Sequence, residues 1–188
     1  MNSVQGINKV RIIRNVPTSK RGYKTRHSFN DYFKGFQAVP AVREIFGQQT
    51  DEVLASVQVE FLNVRSDYIW VSDEDGHLIA NANHLKHGET RVIYLDVIHE
   101  LVHVKQFRDG REISLEFGKR FEYVERPTEL EAYRHTIKEA RRLGMSDEEI
   151  VDYLKVTWLD EGEVRRLARH LRVGVSRKHG PEHQVRTA

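Results

Sequence analysis

The chain has 188 residues, 39% of them hydrophobic and 9% aromatic, which is enough apolar material for one core of ordinary size and argues against general disorder. It contains no cysteine, which excludes disulfides, thiolate zinc ribbons and thiol catalysis, so any metal must be held by His, Asp and Glu. Charged residues interrupt every apolar stretch well short of the ~20 residues that cross a bilayer, and no apolar leader opens the chain, so the reading is a cytoplasmic protein.

The net charge of +2 hides an asymmetry. Lys9, Arg11, Arg14, Lys20, Arg21, Lys24 and Arg26 all precede the first acidic residue, Asp31. Arg165, Arg166, Arg169, Arg172, Arg177, Lys178 and Arg186 follow Val164, with Glu182 the one acid among them. An acidic body therefore carries basic ends. Such ends suit nucleic acid or another acidic partner, or lie solvated or against the body itself. No groove-reading motif or aromatic-interleaved patch accompanies them. The division expected is a basic arm over 1–27, one domain over 28–173 and a basic tail over 174–188.

In chain order, the arm has one strand at Val10–Ile13. Residues 28–60 read as mainly helical: Ser28 or Asn30 caps a first piece, Pro40 begins a second and Gly47 ends it. The β-branched alternation of "VQVEFLNV" predicts a strand. A hairpin follows, with strand Tyr68–Ser72, the turn Asp73-Glu74-Asp75-Gly76 and strand His77–Asn83. "NHLKHG" reads as a loop whose His84 and His87 are incidental, and "RVIYL" as another short strand. Asp96 is placed to cap the next helix, which Gly110 ends with Arg108 near its negative end. After a second loop, "TELEAYRHTIKEARRLG" is a helix stopped by Gly144, and two more helices complete the fold. Trp70 and Trp158 are expected in the core, and His170, His179 and His183 as incidental. Helices, then strands, then helices make this an α+β chain.

The chemistry centres on His99-Glu100-Leu101-Val102-His103. On a helix, positions i and i+4 share a face, so His99 and His103 can each give an imidazole nitrogen to one ion. Glu100 can hold a water at that ion and take its proton. Leu101 and Val102 face the core.

Two histidines need a third protein ligand. The later helix offers Glu129 and Glu131, and its apolar stripe is Leu130, Tyr133, Ile137 and Ala140. Glu129 lies about 60° from the centre of that stripe and Glu131 about 140°. Thr128 and Glu131 also have capping-box spacing, which gives Glu131 a structural task. An unpaired carboxylate beside a core face is costly unless a cation neutralises it. Glu129 is therefore favoured over Glu131 as the third ligand.

"HELVH" followed by Glu129-Leu130-Glu131-Ala132-Tyr133 resembles the zincin metallopeptidases of gluzincin type. The spacing from His103 to Glu129 is similar to that of the small ImmA/IrrE-type peptidases. The resemblance covers about residues 66–143. It implies one zinc ion on His99, His103 and Glu129, with Glu100 as the base. It also implies a zincin-like fold, in which a small sheet stacks on the zinc helix and an edge strand binds extended substrate. That strand would be His77–Asn83, with Asn81, Ala82 and Asn83 as substrate-binding residues. Metzincins do not fit, because no glycine and third histidine follow His103. The chain departs from larger gluzincins at Tyr133, where an acidic residue often supports the ligand histidines. Tyr123, Tyr133, Arg134 and His135 are the available partners for a developing oxyanion.

These features predict a zinc-dependent peptidase acting on a peptide or protein substrate. The alternative is a zincin-like module that binds nucleic acid or protein through its basic ends.

Overall fold

The computed structural model describes residues 9–19, 25–65, 68–111 and 121–174. Its strands are β1 (Arg11–Ile12), β2 (Arg26–Ser28), β3 (Phe33–Lys34), β4 (Gln58–Leu62), β5 (Ile69–Val71) and β6 (Leu78–Asn81). Its helices are α1 (Phe29–Tyr32), α2 (Pro40–Phe46), α3 (Thr50–Ser56), α4 (Ala82–His87), α5 (Thr90–Arg108), α6 (Pro127–Arg142), α7 (Asp147–Leu154) and α8 (Glu161–His170). The α+β class expected from the sequence is what the structure shows. No helix among the described residues is long and apolar enough to cross a membrane.

β1 and β3 form a small antiparallel pair, and the other four strands form one mixed sheet in the order β2-β4-β6-β5. β4 runs parallel to β6, while β2 and β5 pair antiparallel with β4 and β6. The hairpin of β5 and β6 is present as predicted, but β6 is an inner strand and not the expected edge. Hairpin signals fix which two strands pair, not which of them the rest of the sheet joins. Here Val59 and Phe61 of β4 lie beside Leu78 and Ala80 of β6, all four buried, and this places β6 inside. β5 is left as the outer strand.

α5 is the central element. Ile93, Tyr94, Leu95, Val97, Ile98, Leu101 and Val102 are all buried, and α6 and α2 pack against it. The strand expected at "RVIYL" is in fact the first turns of this helix. A short apolar run has no periodicity of its own, and a helix covered on most sides loses the amphipathic signal that would identify it. Asp96 is consequently mid-helix and caps nothing. "NHLKHG" is likewise no loop: strand β6 stops at Asn81, whose side-chain oxygen accepts from the Asn83 amide and so opens α4.

Pro40 starts α2 and Gly47 closes it, as predicted. The stretch from 28 to 57 is less continuously helical than expected, because β3 and two 3-10 turns interrupt it. α6 begins two residues earlier than the predicted capping box requires. Pro127 presets the first helical turn, and Thr128 Oγ1 is buried without a partner. Capping boxes occur instead at Ser146/Glu149 and Asp160/Glu163. Arg14 reaches from the N-terminal segment to the carbonyls of Leu85 (3.0 Å) and Gly88 (2.8 Å) and to Thr90 Oγ1 (2.6 Å), bridging the link between α4 and α5.

Candidate metal centre and its cleft

The least buried positions along the middle of α5 are Val92, Asp96 and Glu100, spaced by one helical turn. With His99 and His103 they form one stripe facing a cleft of about 700 Å3. β5, α6, α7 and the aromatic residues Tyr123 and Trp158 make the other walls.

At the floor, side chains from α5 and α6 converge. His99 Nε2 and His103 Nε2 are 3.1 Å apart. Glu129 Oε2, from the first turn of α6, lies 3.3 Å from the former and 3.6 Å from the latter. A first-row ion held tetrahedrally at about 2.0–2.1 Å has ligand-to-ligand edges of about 3.3 Å. The three edges measured here bracket that value. All three residues are buried, at 7%, 5% and 8% exposure, and Glu129 Oε2 has no hydrogen-bond partner among the described residues. A buried carboxylate facing two imidazoles needs a positive charge among them, which a proton on His103 supplies in the metal-free chain and a divalent cation would supply in its place. The donor set therefore fits a divalent metal ion. Glu100 also brings a carboxylate oxygen within 4.8 Å of a ring nitrogen of each histidine.

The electrostatics follow from burial and crowding. Burial pushes the Glu129 carboxyl up, but the facing imidazoles of His103 and His99 more than reverse this and hold it below the usual range. For His103 burial acts downward, and the carboxylates of Glu129 and Glu100 overcome it, raising the imidazole to about 9. His99 is lowered, with burial the main cause. Burial is also the main reason that Glu100 rises to about 8, aided by the negative charges of Glu129 and Asp96.

Gln106 orients one imidazole. Its Nε2 donates to the Thr128 carbonyl (3.0 Å) and to Glu131 Oε2 (2.9 Å), two groups that can only accept. Its Oε1 must therefore face His103 Nδ1, 2.8 Å away, so that Nδ1 donates and the Nε2 lone pair is free for an ion. Glu131 in turn takes a two-pronged contact from Arg111, at 2.8 and 3.1 Å. Glu131 thus stands behind the site and not in it. Its partners are Gln106 and Arg111 instead of the predicted helix cap. Sequence reasoning passed over Gln106, although a polar residue three positions after His103 on a buried helix face was a usable signal.

At Tyr133 the ring supports the other histidine, packing edge-on against His99 with centroids 4.5 Å apart. Its hydroxyl lies 3.3 Å from that of Tyr123, and both tyrosines line the cleft. Arg134 is exposed and His135 half-buried, and neither lines the cleft.

Asn81, Ala82 and Asn83 lie elsewhere. Asn81 is buried at the cap of α4 and donates to the Val64 carbonyl, Asn83 bonds Asn63, and none of the three lines the cleft. His84 is no incidental loop residue. Its Nε2 is 2.8 Å from Asp96 Oδ2, while Tyr153 donates to Asp96 Oδ1 at 3.1 Å. Trp158 is not in the core, since 49% of it is exposed, and the half-buried Trp70 also lines the cleft. His179 and His183 lie outside the described residues.

No protein-family model matches the chain, and no curated protein or solved structure is significantly similar to it.

Proposed function

We propose that this chain is a zinc-dependent peptidase with a zincin-like arrangement, in which His99, His103 and Glu129 hold the ion and Glu100 is the base. The observation that carries this reading is the convergence of three buried donor atoms, 3.1 to 3.6 Å apart, from two different helices at the floor of an open cleft. Zinc is the common occupant of a two-imidazole, one-carboxylate tetrahedral site.

A bound zinc supplies Lewis acidity, which polarises a carbonyl and makes water acidic near neutral pH. The remaining work falls to side chains. Glu100, one residue after His99 and lining the cleft, takes the proton of the attacking water and passes it to the departing amine. In the metal-free chain burial raises its carboxyl to about 8, and a divalent cation at the cluster would lower it, leaving the carboxylate free to act as the base. The Tyr123 and Tyr133 hydroxyls are donors on the wall for the oxygen that gains negative charge. An extended substrate pairs with the outer edge of β5, which lines the cleft and bonds no other strand among the described residues.

Metal analysis of the wild-type, Glu129→Ala and Glu131→Ala proteins tests the ligand set. Zinc is expected at one equivalent in wild type and in Glu131→Ala, and to be lost from Glu129→Ala. Loss from Glu131→Ala alone would remove the basis for the reading. With a peptide substrate in hand, Glu100→Gln is expected to retain zinc and lower kcat by roughly 10²–10⁴.

A further inference from the structure

Trp158 is one of two large hydrophobic side chains exposed among the described residues, yet its ring is held in place. It sits in the link between α7 and α8, edge-on to Tyr68 at 4.6 Å and to Tyr123 at 6.0 Å. The Thr157 amide donates to the Tyr68 hydroxyl at 3.4 Å, which ties that link to the segment leading into β5. Three aromatic residues from distant parts of the chain therefore meet at the mouth of the cleft. Val92 and Val156 line the same cleft. Fixed aromatic surface left open to water is an unfavourable arrangement for a chain unless something covers it.

The charged side chains of this wall do not compete for a ligand. Asp96 is engaged by His84 and Tyr153, and Asp152 pairs with Lys155 at 2.5 Å. What the wall leaves free is apolar. It is also continuous with the outer edge of β5, along which an extended chain would direct alternate side chains into the cleft.

We infer that the occupant is an extended peptide bearing a large apolar side chain, aromatic or branched aliphatic, seated between Trp158, Tyr68, Val92 and Val156 beside the metal cluster. This rests on the peptidase reading of the site and names its substrate class. Trp158 is the specificity-determining residue, and its contribution is apolar burial against the ligand.

The test uses the full chain carrying Glu100→Gln with equimolar zinc, so that bound peptide persists. Calorimetric titration compares the amidated peptide Ala-Ala-Phe-Ala-Ala with its all-alanine counterpart. The phenylalanine peptide is expected to bind roughly tenfold more tightly, from the apolar area that its ring buries. Trp158→Ala in the same background removes most of that preference, Trp158→Phe restores much of it, and Val156→Ala weakens it in the same direction. Equal affinity for the two peptides, no binding of either, or a preference that survives Trp158→Ala overturns the inference. The second of these results would mean that the chain itself or a second copy already covers the wall. None of the three bears on zinc content, so the peptidase reading survives them. Conversely, a chain that prefers the phenylalanine peptide but retains no zinc keeps the apolar subsite and loses the peptidase reading.

Discussion

Gln106 shows how much of the site depends on a residue without chemistry of its own. It links His103 to Glu131 and to the Thr128 carbonyl, and so joins α5 to the first turn of α6, where Glu129 sits. Removing it frees the His103 ring to rotate and leaves Nδ1 without an acceptor. Gln106→Ala is expected to weaken zinc binding about 10- to 100-fold, the usual cost of losing an outer-shell partner, as read by competition with a chromogenic chelator. Unchanged affinity would show that the imidazole is oriented by other means. His99 and His103 were readable from the sequence because their contact follows from helix geometry alone. Glu129 was readable because helical phase set it against the apolar stripe while Glu131 pointed elsewhere. The capping argument that supported the same choice failed, since Pro127 moved the start of α6. The roles of His84 and Asp96 could not be read, because they partner each other across twelve positions and lie on helical turns not recognised as helix. For Gln106 the spacing to His103 was a signal, but the contacts to α6 were not.

At the level of elements, the largest difference between expectation and structure is α5. Reading its first turns as a strand would have started this helix only after Asp96 and left that carboxylate as its N-terminal cap. In the folded chain Asp96 joins three helices: α5, α4 through His84, and α7 through Tyr153. Its side chain is largely buried, so loss of the carboxylate strands two polar groups at once. Asp96→Ala is expected to destabilise the protein by about 1–3 kcal/mol, measured as a lower urea midpoint at unchanged slope. The same substitution made in a His84→Ala background should cost clearly less, because the two side chains share one interaction. Equal costs in both backgrounds would show that the contact carries no energy. The outer position of β5 was similarly hidden from the sequence. Alternation identifies a strand and a turn identifies its partner, but sheet order comes from which flank the remaining strands cover.

For the whole molecule, the proposed metal site sets a link between pH and stability. In the metal-free chain His103 titrates at about 9 instead of the usual 6.5, because its buried imidazolium is held by Glu129 and Glu100 against the cost of burial. A group raised on folding contributes stability that is complete below its unfolded value and is lost as pH climbs through its folded value. Glu100, raised to about 8, acts in the same direction. The metal-free protein should therefore lose stability steadily from about pH 6.5 to about pH 9. Zinc binding runs the opposite way, since the ion displaces the proton on His103 Nε2 and is favoured as that proton becomes easier to remove. A ligand that binds only the folded state adds about 4 kcal/mol at a thousandfold excess over Kd, or roughly 10 °C in Tm for a chain of this size. The gap between the melting temperatures with zinc and with chelator is thus expected to widen from pH 6.5 to pH 9, chiefly through the fall of the chelated protein. Scanning calorimetry of both forms at several pH values measures it directly. A gap that is constant across the window would mean that His103 is already neutral in the metal-free fold, and that the carboxylates around it do not hold a proton there.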